Sequence, residues 1–149
     1  MYNNILVPID GSATSQKALE EAVRLARLTG GRLRLLHIVD PLEHLSGFET
    51  AAVYLRDMQP ALVQAGEELL EKAKAGVNAP DLTVETELFE GTGGRVSDMI
   101  IDRAKNWGAD LIVLGTHGRR GIERVMMGSD AEQVVRLAPV PVLLVRHRD

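Results

Sequence analysis

Between Gly115 and Ser129 the chain reads GTHGRRGIERVMMGS, with Gly115, Gly118 and Gly128 spaced G-x2-G-x9-G and a serine directly after the last. Glycines let successive backbone N–H groups converge on an anion, and a helix N-terminus adds partial positive charge to the same spot. An apolar run, Leu111-Ile112-Val113-Leu114, precedes this segment, and a helical pattern begins after it at Ala131. Strand, glycine loop and helix start, in that order, are the parts of a phosphate cradle. The plainer alternative is a loop that uses glycine only to turn, because an isolated glycine motif has low specificity. Arg119, Arg120 and Arg124 lie within the segment. They could neutralise phosphate charge or serve only solubility on an exposed loop. His117 could orient the loop or contact phosphate, whereas Met126-Met127 are expected to pack.

Other chemistries find less support. The chain has no cysteine, which excludes disulfides, thiolate metal sites and thiol catalysis. Its four histidines, His37, His44, His117 and His147, show neither H-x3-H nor H-E-x2-H spacing, so no histidine metal site is expected. No Ser-His-Asp arrangement follows from the spacing, and Gly128-Ser129 lacks the G-x4-G-K frame of a Walker lysine. Ser12 and Thr14 open the first helix beside Asp10; capping that helix is the plainer role, contact with a phosphate the more specific one.

The elements that must position these residues alternate regularly. Ile5–Ile9 reads as a short buried strand, and Ala13–Leu28 carries an apolar stripe of helical period, stopped by Gly30-Gly31. Leu33–Val39 is a second strand. Residues 40–50, with Pro41 and Gly47, read as a loop, and a long helical pattern then runs to about Ala75, broken or restarted at Pro60. Thr83–Phe89 alternates Val84, Thr86 and Leu88 with Glu85 and Glu87, as an edge strand with one polar face does. A helix from about Arg95 to Trp107, the strand Leu111–Leu114, a helix from about Ser129 to Leu137 and the strand Val142–Val145 complete the chain. Five strands separated by four helical segments predict an α/β fold, an open parallel sheet with helices on both faces. In such sheets ligands sit beyond the carboxyl ends of the strands, where the winding reverses. Those ends carry Asp10-Gly11-Ser12, Val39-Asp40 and Gly115-Thr116.

Bulk properties narrow the function classes. A chain of 149 residues with 45% hydrophobic and 26% charged residues is expected to form one globular domain, residues 1–149. A formal charge of -4 and only five aromatic residues argue against nucleic acid as a partner. The N-terminus, MYNNILVPID, shows neither signal-peptide nor anchor character, and no apolar run approaches the ~20 residues that span a bilayer. A cytoplasmic location is the expectation.

Taken in order, ILVPIDGS, LLHIVD, GADLIVLGTHGRRG, the GS of Gly128-Ser129 and APVPVLLVR resemble the landmarks of the universal stress protein family over nearly the whole chain. The resemblance implies a Rossmann-like sheet of the adenine nucleotide alpha hydrolase type, with strand order 3-2-1-4-5. It also implies a homodimer formed through the last strand, Val142, Leu143, Leu144 and Val145, whose apolar edge would invite a second copy. The family divides into members that bind ATP and members that do not. Gly115, Gly118, Gly128 and Ser129 satisfy the motif of the ATP-binding branch. By matching positions, Pro8 and Asp10 would lie on the nucleoside side, with Asp10 serving the ribose or a Mg2+ ion, and Ile38 would lie against adenine. The backbone of Gly115, Thr116, His117 and Gly118, the neighbouring Arg119, and Gly128, Ser129 and Asp130 would surround the phosphates, with the Ser129 hydroxyl among the donors. Physical chemistry agrees: a strand-end carboxylate suits ribose hydroxyls or Mg2+, and serine is a good N-cap.

Two departures from the family pattern stand out. Asp130 occupies a position where many nucleotide-binding relatives carry a small or apolar residue. It would repel phosphate, pair with a nearby arginine, share a cation, or act as a first-turn acid that stabilises the helix dipole. Gly91-Thr92-Gly93-Gly94 replaces the usual glycine and nearby proline before the third helix. The expected function is ATP binding with a nucleotide-dependent regulatory role in stress response, with slow hydrolysis or none, since no base or attacking group is identifiable. Two alternatives remain: a dimeric interaction module without constitutive nucleotide, and a slow ATPase or autophosphorylating enzyme.

Overall fold

The computed structural model describes residues 1–40, 53–91, 93–116 and 128–147. The elements are β1 (Asn4–Pro8), α1 (Ala13–Thr29), β2 (Arg32–Val39), a π-helical turn (Tyr54–Met58), α2 (Gln59–Ala75), β3 (Val84–Glu90), α3 (Val96–Trp107), β4 (Leu111–Gly115), α4 (Ser129–Leu137) and β5 (Val142–Val145). All strand pairs are parallel and the sheet order is β3-β2-β1-β4-β5. This is the expected architecture, and β3 and β5 are its edges.

Strand alternation divides the core into two layers. Ile5, Val7, Leu33, Leu35, Leu111 and Val113 point to one face, where Ala18, Ala22 and Ala26 of α1 and Leu70 of α2 meet them. Leu6, Leu36, Ile112 and Leu114 point to the other, against Ile100 and Ala104 of α3 and Ala131 and Val134 of α4. Each fully buried aliphatic side chain contributes about 1.5–3 kcal/mol relative to exposure. Alanines on α1 let that helix lie close to the strands. The helices end where the sequence demands: α1 and α3 stop at Gly30 (φ 76°) and Gly108 (φ 75°), left-handed positions that favour glycine. Pro60 marks the expected restart of the helical stretch. It sits in the first turn of α2, which starts anew after the π-helical turn, where the missing N–H costs nothing. No helix among the described residues is long and apolar enough to cross a membrane.

The β2–β3 end of the second face carries a polar mat shared with α3. Arg34 donates to Glu85 (2.7 and 3.1 Å) and Glu87 (3.4 Å), and Arg103 donates to Glu87 (2.8 Å). The Arg34 guanidinium lies 4.7 Å from the Trp107 ring centroid, and that of Arg103 lies 5.0 Å from Phe89. The hydrogen bond from Arg34 holds the Glu85 carboxyl below its usual value of 4.5. A carboxyl depressed in the folded state stabilises above its unfolded pKa, and that contribution disappears as the pH falls through the folded value. Urea denaturation should therefore show wild type losing slightly more stability than Glu85→Gln between pH 7 and pH 3.5. The expected difference is on the order of 1 kcal/mol or less, as for other accessible ion pairs.

Candidate functional site

The winding direction reverses between β1 and β4, so the crevice beyond their carboxyl ends is the natural ligand position. Register brings the expected residues to one level. Pro8 pairs with Leu36 and Leu6 with Ile112. Counting on along the strands places Asp10, Ile38 and Thr116 in one row at the carboxyl edge. Pro8 ends β1, and half-buried Ile38 packs beside Phe89 on the α3–α4 face.

Asp10 begins a tight, hydrogen-bonded turn into α1. Its Oδ1 accepts the Ser12 N–H at 2.9 Å, while its own N–H donates to Ser15 Oγ at 3.4 Å. Ser12 is the N-cap of α1, its Oγ accepting from the Ser15 N–H, and Thr14 is buried in the first turn. Ser12 thus takes the plainer of its two expected roles.

Gly115 is where α1 and β4 meet. A Cβ built on it would lie 2.8 Å from the carbonyl carbon and Cβ of Thr14 and 2.9 Å from the Thr14 carbonyl oxygen. Glycine here allows backbone to approach backbone, which sets the Asp10 turn beside the end of β4. The next residue closes the base of the motif: the Thr116 carbonyl accepts the Gly128 N–H at 2.6 Å, and the Thr116 N–H donates to Val145 O at 3.0 Å. Residues twelve apart in sequence are therefore in direct contact.

These bonds correct two expectations. The amides of Thr116 and Gly128 are engaged within the chain, so neither serves as an anion donor in this geometry. Ser129 is not the N-cap of α4: Gly128 holds that position with φ −61° and ψ 152°, and Ser129 is the first helical residue. What the motif offers is the first turn of α4, which has no side-chain cap, together with the exposed Ser129. Beside it is the buried Thr116 hydroxyl, the one such side-chain atom without a hydrogen-bond partner among the described residues. Leaving a polar group in that state costs about 1–3 kcal/mol, an expense that a ligand contact would remove. Asp130 and Glu132 are first-turn acids and both are exposed.

His117, Gly118 and Arg119, with Arg120 and Arg124, lie outside the described residues, as does Thr92. Among the described residues no three His, Asp or Glu side chains are grouped to hold a metal. Two features escaped the sequence reading. Asp110 accepts the N–H groups of Asn3 and Asn4 at 2.8 and 3.0 Å, anchoring the start of β1. His37 contacts the carbonyl of Ile9. Neither spacing nor residue type signals such contacts between distant segments.

Residues 1–146 match the universal stress protein family. Universal stress protein YxiE of Bacillus subtilis is 34% identical over 151 aligned positions, covering 98% of this chain and 100% of that protein. The solved structure of universal stress protein UspA from Lactobacillus plantarum is 32% identical, with a TM-score of 0.76 over 97% of this chain and 98% of its own. The universal stress protein of Archaeoglobus fulgidus, solved in complex with dAMP, shares the fold at 23% identity and a TM-score of 0.69, covering 97% and 98% of the two chains. With β1, β4 and the two ends of the glycine frame arranged as described, and with homology running through residues 1–146, the chain belongs to the universal stress protein family.

Proposed function

We propose that the protein binds ATP, with Mg2+, in the crevice at the carboxyl ends of β1 and β4. The observation that carries this reading is the contact between Thr116 and Gly128. It folds the two ends of the G-x2-G-x9-G-S frame onto the first turn of α4, which has no side-chain cap. The amides of that turn would face the phosphates, helped by the Ser129 hydroxyl and the helix dipole. The residues between Thr116 and Gly128 would complete the cradle. Pro8 and Ile38 offer apolar surface for the base, and Asp10 offers a carboxylate to the ribose or the metal. One carboxylate fits Mg2+, which ordinarily takes one or two protein oxygens and completes its shell with phosphate and water. That the fold accommodates dAMP in an archaeal protein supports a nucleotide of this class.

Among the described residues assigned to the site no general base stands opposite a nucleophile, and the proposed role is regulatory, with turnover or autophosphorylation slow at most. Nucleotide occupancy would alter the surface around the glycine segment, and a partner protein would read the difference during stress. The short apolar β5, at a sheet edge with Leu143 39% exposed, supports a homodimer paired through Val142–Val145. A cytoplasmic location goes with this reading.

Calorimetry of nucleotide-free protein with Mg-ATP tests it. The expected result is saturable binding at micromolar to low millimolar ATP. Absence of heat at millimolar ATP overturns the proposal. Binding that appears only in Asp130→Ala would establish the dimeric module with an obstructed pocket instead.

A further inference from the structure

His37 stands on the α1–α2 face of β2, half-buried, at a junction of three elements. Its Nδ1 lies 2.9 Å from the carbonyl oxygen of Ile9, the residue just past β1 and just before Asp10. A carbonyl only accepts, so Nδ1 carries the proton. Ile9 is held from its other side as well, its N–H donating to Leu36 O at 2.8 Å. The ring is backed by helix α2. A Cβ on Gly66 would fall 2.8 Å from the His37 Cδ2, 3.4 Å from its Nε2 and 2.7 Å from Leu88 Cδ1. Glycine within a helix costs roughly 1 kcal/mol in propensity. At Gly66 it lets the α2 backbone rest on the imidazole, and that contact locks the ring in the rotamer that reaches Ile9.

We infer that His37 is a positioning residue: its ring N–H, clamped by α2 at Gly66, fixes the Ile9–Asp10 peptide and so orients the turn that carries Asp10 into the crevice. The link continues through the Asp10 carboxylate to the Ser12 N–H and the cap of α1. Helix α2 is thereby coupled to the nucleoside side of the site, although no α2 residue was assigned to it. This inference rests on the nucleotide reading for its functional consequence but not for its structural one.

Nitrogen NMR of the nucleotide-free protein tests the structural part directly. Wild type should show His37 as the Nδ1-protonated tautomer; the Nε2-protonated form overturns the inference. His37→Leu should shift the amide signals of Gly11 and Ser12, and Gly66→Ala, which displaces the ring while leaving histidine in place, should shift the same signals. His37→Asn, whose side-chain N–H takes the place of Nδ1–H, should restore them. Unmoved Gly11 and Ser12 amides in both His37→Leu and Gly66→Ala overturn the inference whatever the nucleotide does. Mg-ATP affinity should fall about fivefold to tenfold in His37→Leu, the equivalent of one hydrogen bond, and stay within about twofold in His37→Asn. A wild type that binds no nucleotide would sink the site reading, while the amide shifts would still judge the positioning role.

Discussion

Gly115→Val is expected to lower the unfolding free energy by about 3 kcal/mol and to abolish nucleotide binding with it. The new Cβ would sit 2.8–2.9 Å from the backbone carbonyl group and Cβ of Thr14. None of these atoms is the far end of a flexible side chain, so relief requires α1 to move away from β4. That helix is held by Ala18, Ala22 and Ala26, all fully buried against the sheet, and by the Ser12 cap. Retreat would open the core along that interface and swing the Asp10 turn away from the strand end. Valine's preference for strands returns at most about 1 kcal/mol. For a chain of this size the loss corresponds to a fall in melting temperature of roughly 6–12 °C. Gly94→Ala is the matched control, since its Cβ would meet only Met99 Cε at an ordinary 3.8 Å. Thermal unfolding of the two variants decides the matter: an unchanged midpoint for Gly115→Val would mean that the α1–β4 approach is not constrained.

That constraint illustrates what the sequence could and could not reveal. The strands were legible because apolar, β-branched runs such as Ile5–Val7 and Leu111–Leu114 are bounded by turn residues. Gly30 and Gly108 marked helix ends through their backbone geometry, a local property. Strand order came from resemblance, since alternating strands and helices alone are compatible with several windings. The glycine frame was legible as a motif, but its glycines hide different physics. Gly115 is a close-approach residue, whereas Gly128 occupies an N-cap conformation whose φ and ψ suit any residue. The α4 cap falls at Gly128, one residue before Ser129, because serine and glycine both suit the position and only the chain path chooses between them. The saturation of the Thr116 and Gly128 amides, the Arg34–Glu85–Trp107 mat and the His37–Ile9–Gly66 junction join residues far apart in sequence. Contacts of that kind leave no periodic trace.

Because Gly128 adopts φ −61° and ψ 152°, an aspartate there meets no backbone penalty, and Gly128→Asp is expected to separate stability from binding. Its carboxylate would accept from the first-turn amides of α4, the donors proposed for phosphate, and would supply the side-chain cap that the helix lacks. The fold should gain a few tenths of a kcal/mol, or at least lose nothing. Binding should suffer far more. The donors become occupied, and a fixed negative charge about 4 Å from a phosphate costs on the order of 4 kcal/mol at an effective dielectric constant near 20. Mg-ATP affinity should therefore fall by at least about a hundredfold. Gly128→Ala adds bulk without charge or acceptor, so equal losses in both variants would assign the effect to close approach of the backbone to the ligand. Calorimetry and thermal unfolding on the same samples supply both readouts. Wild-type affinity in Gly128→Asp would remove the phosphates from the α4 N-terminus, and with them the physical basis for reading this glycine frame as a nucleotide cradle.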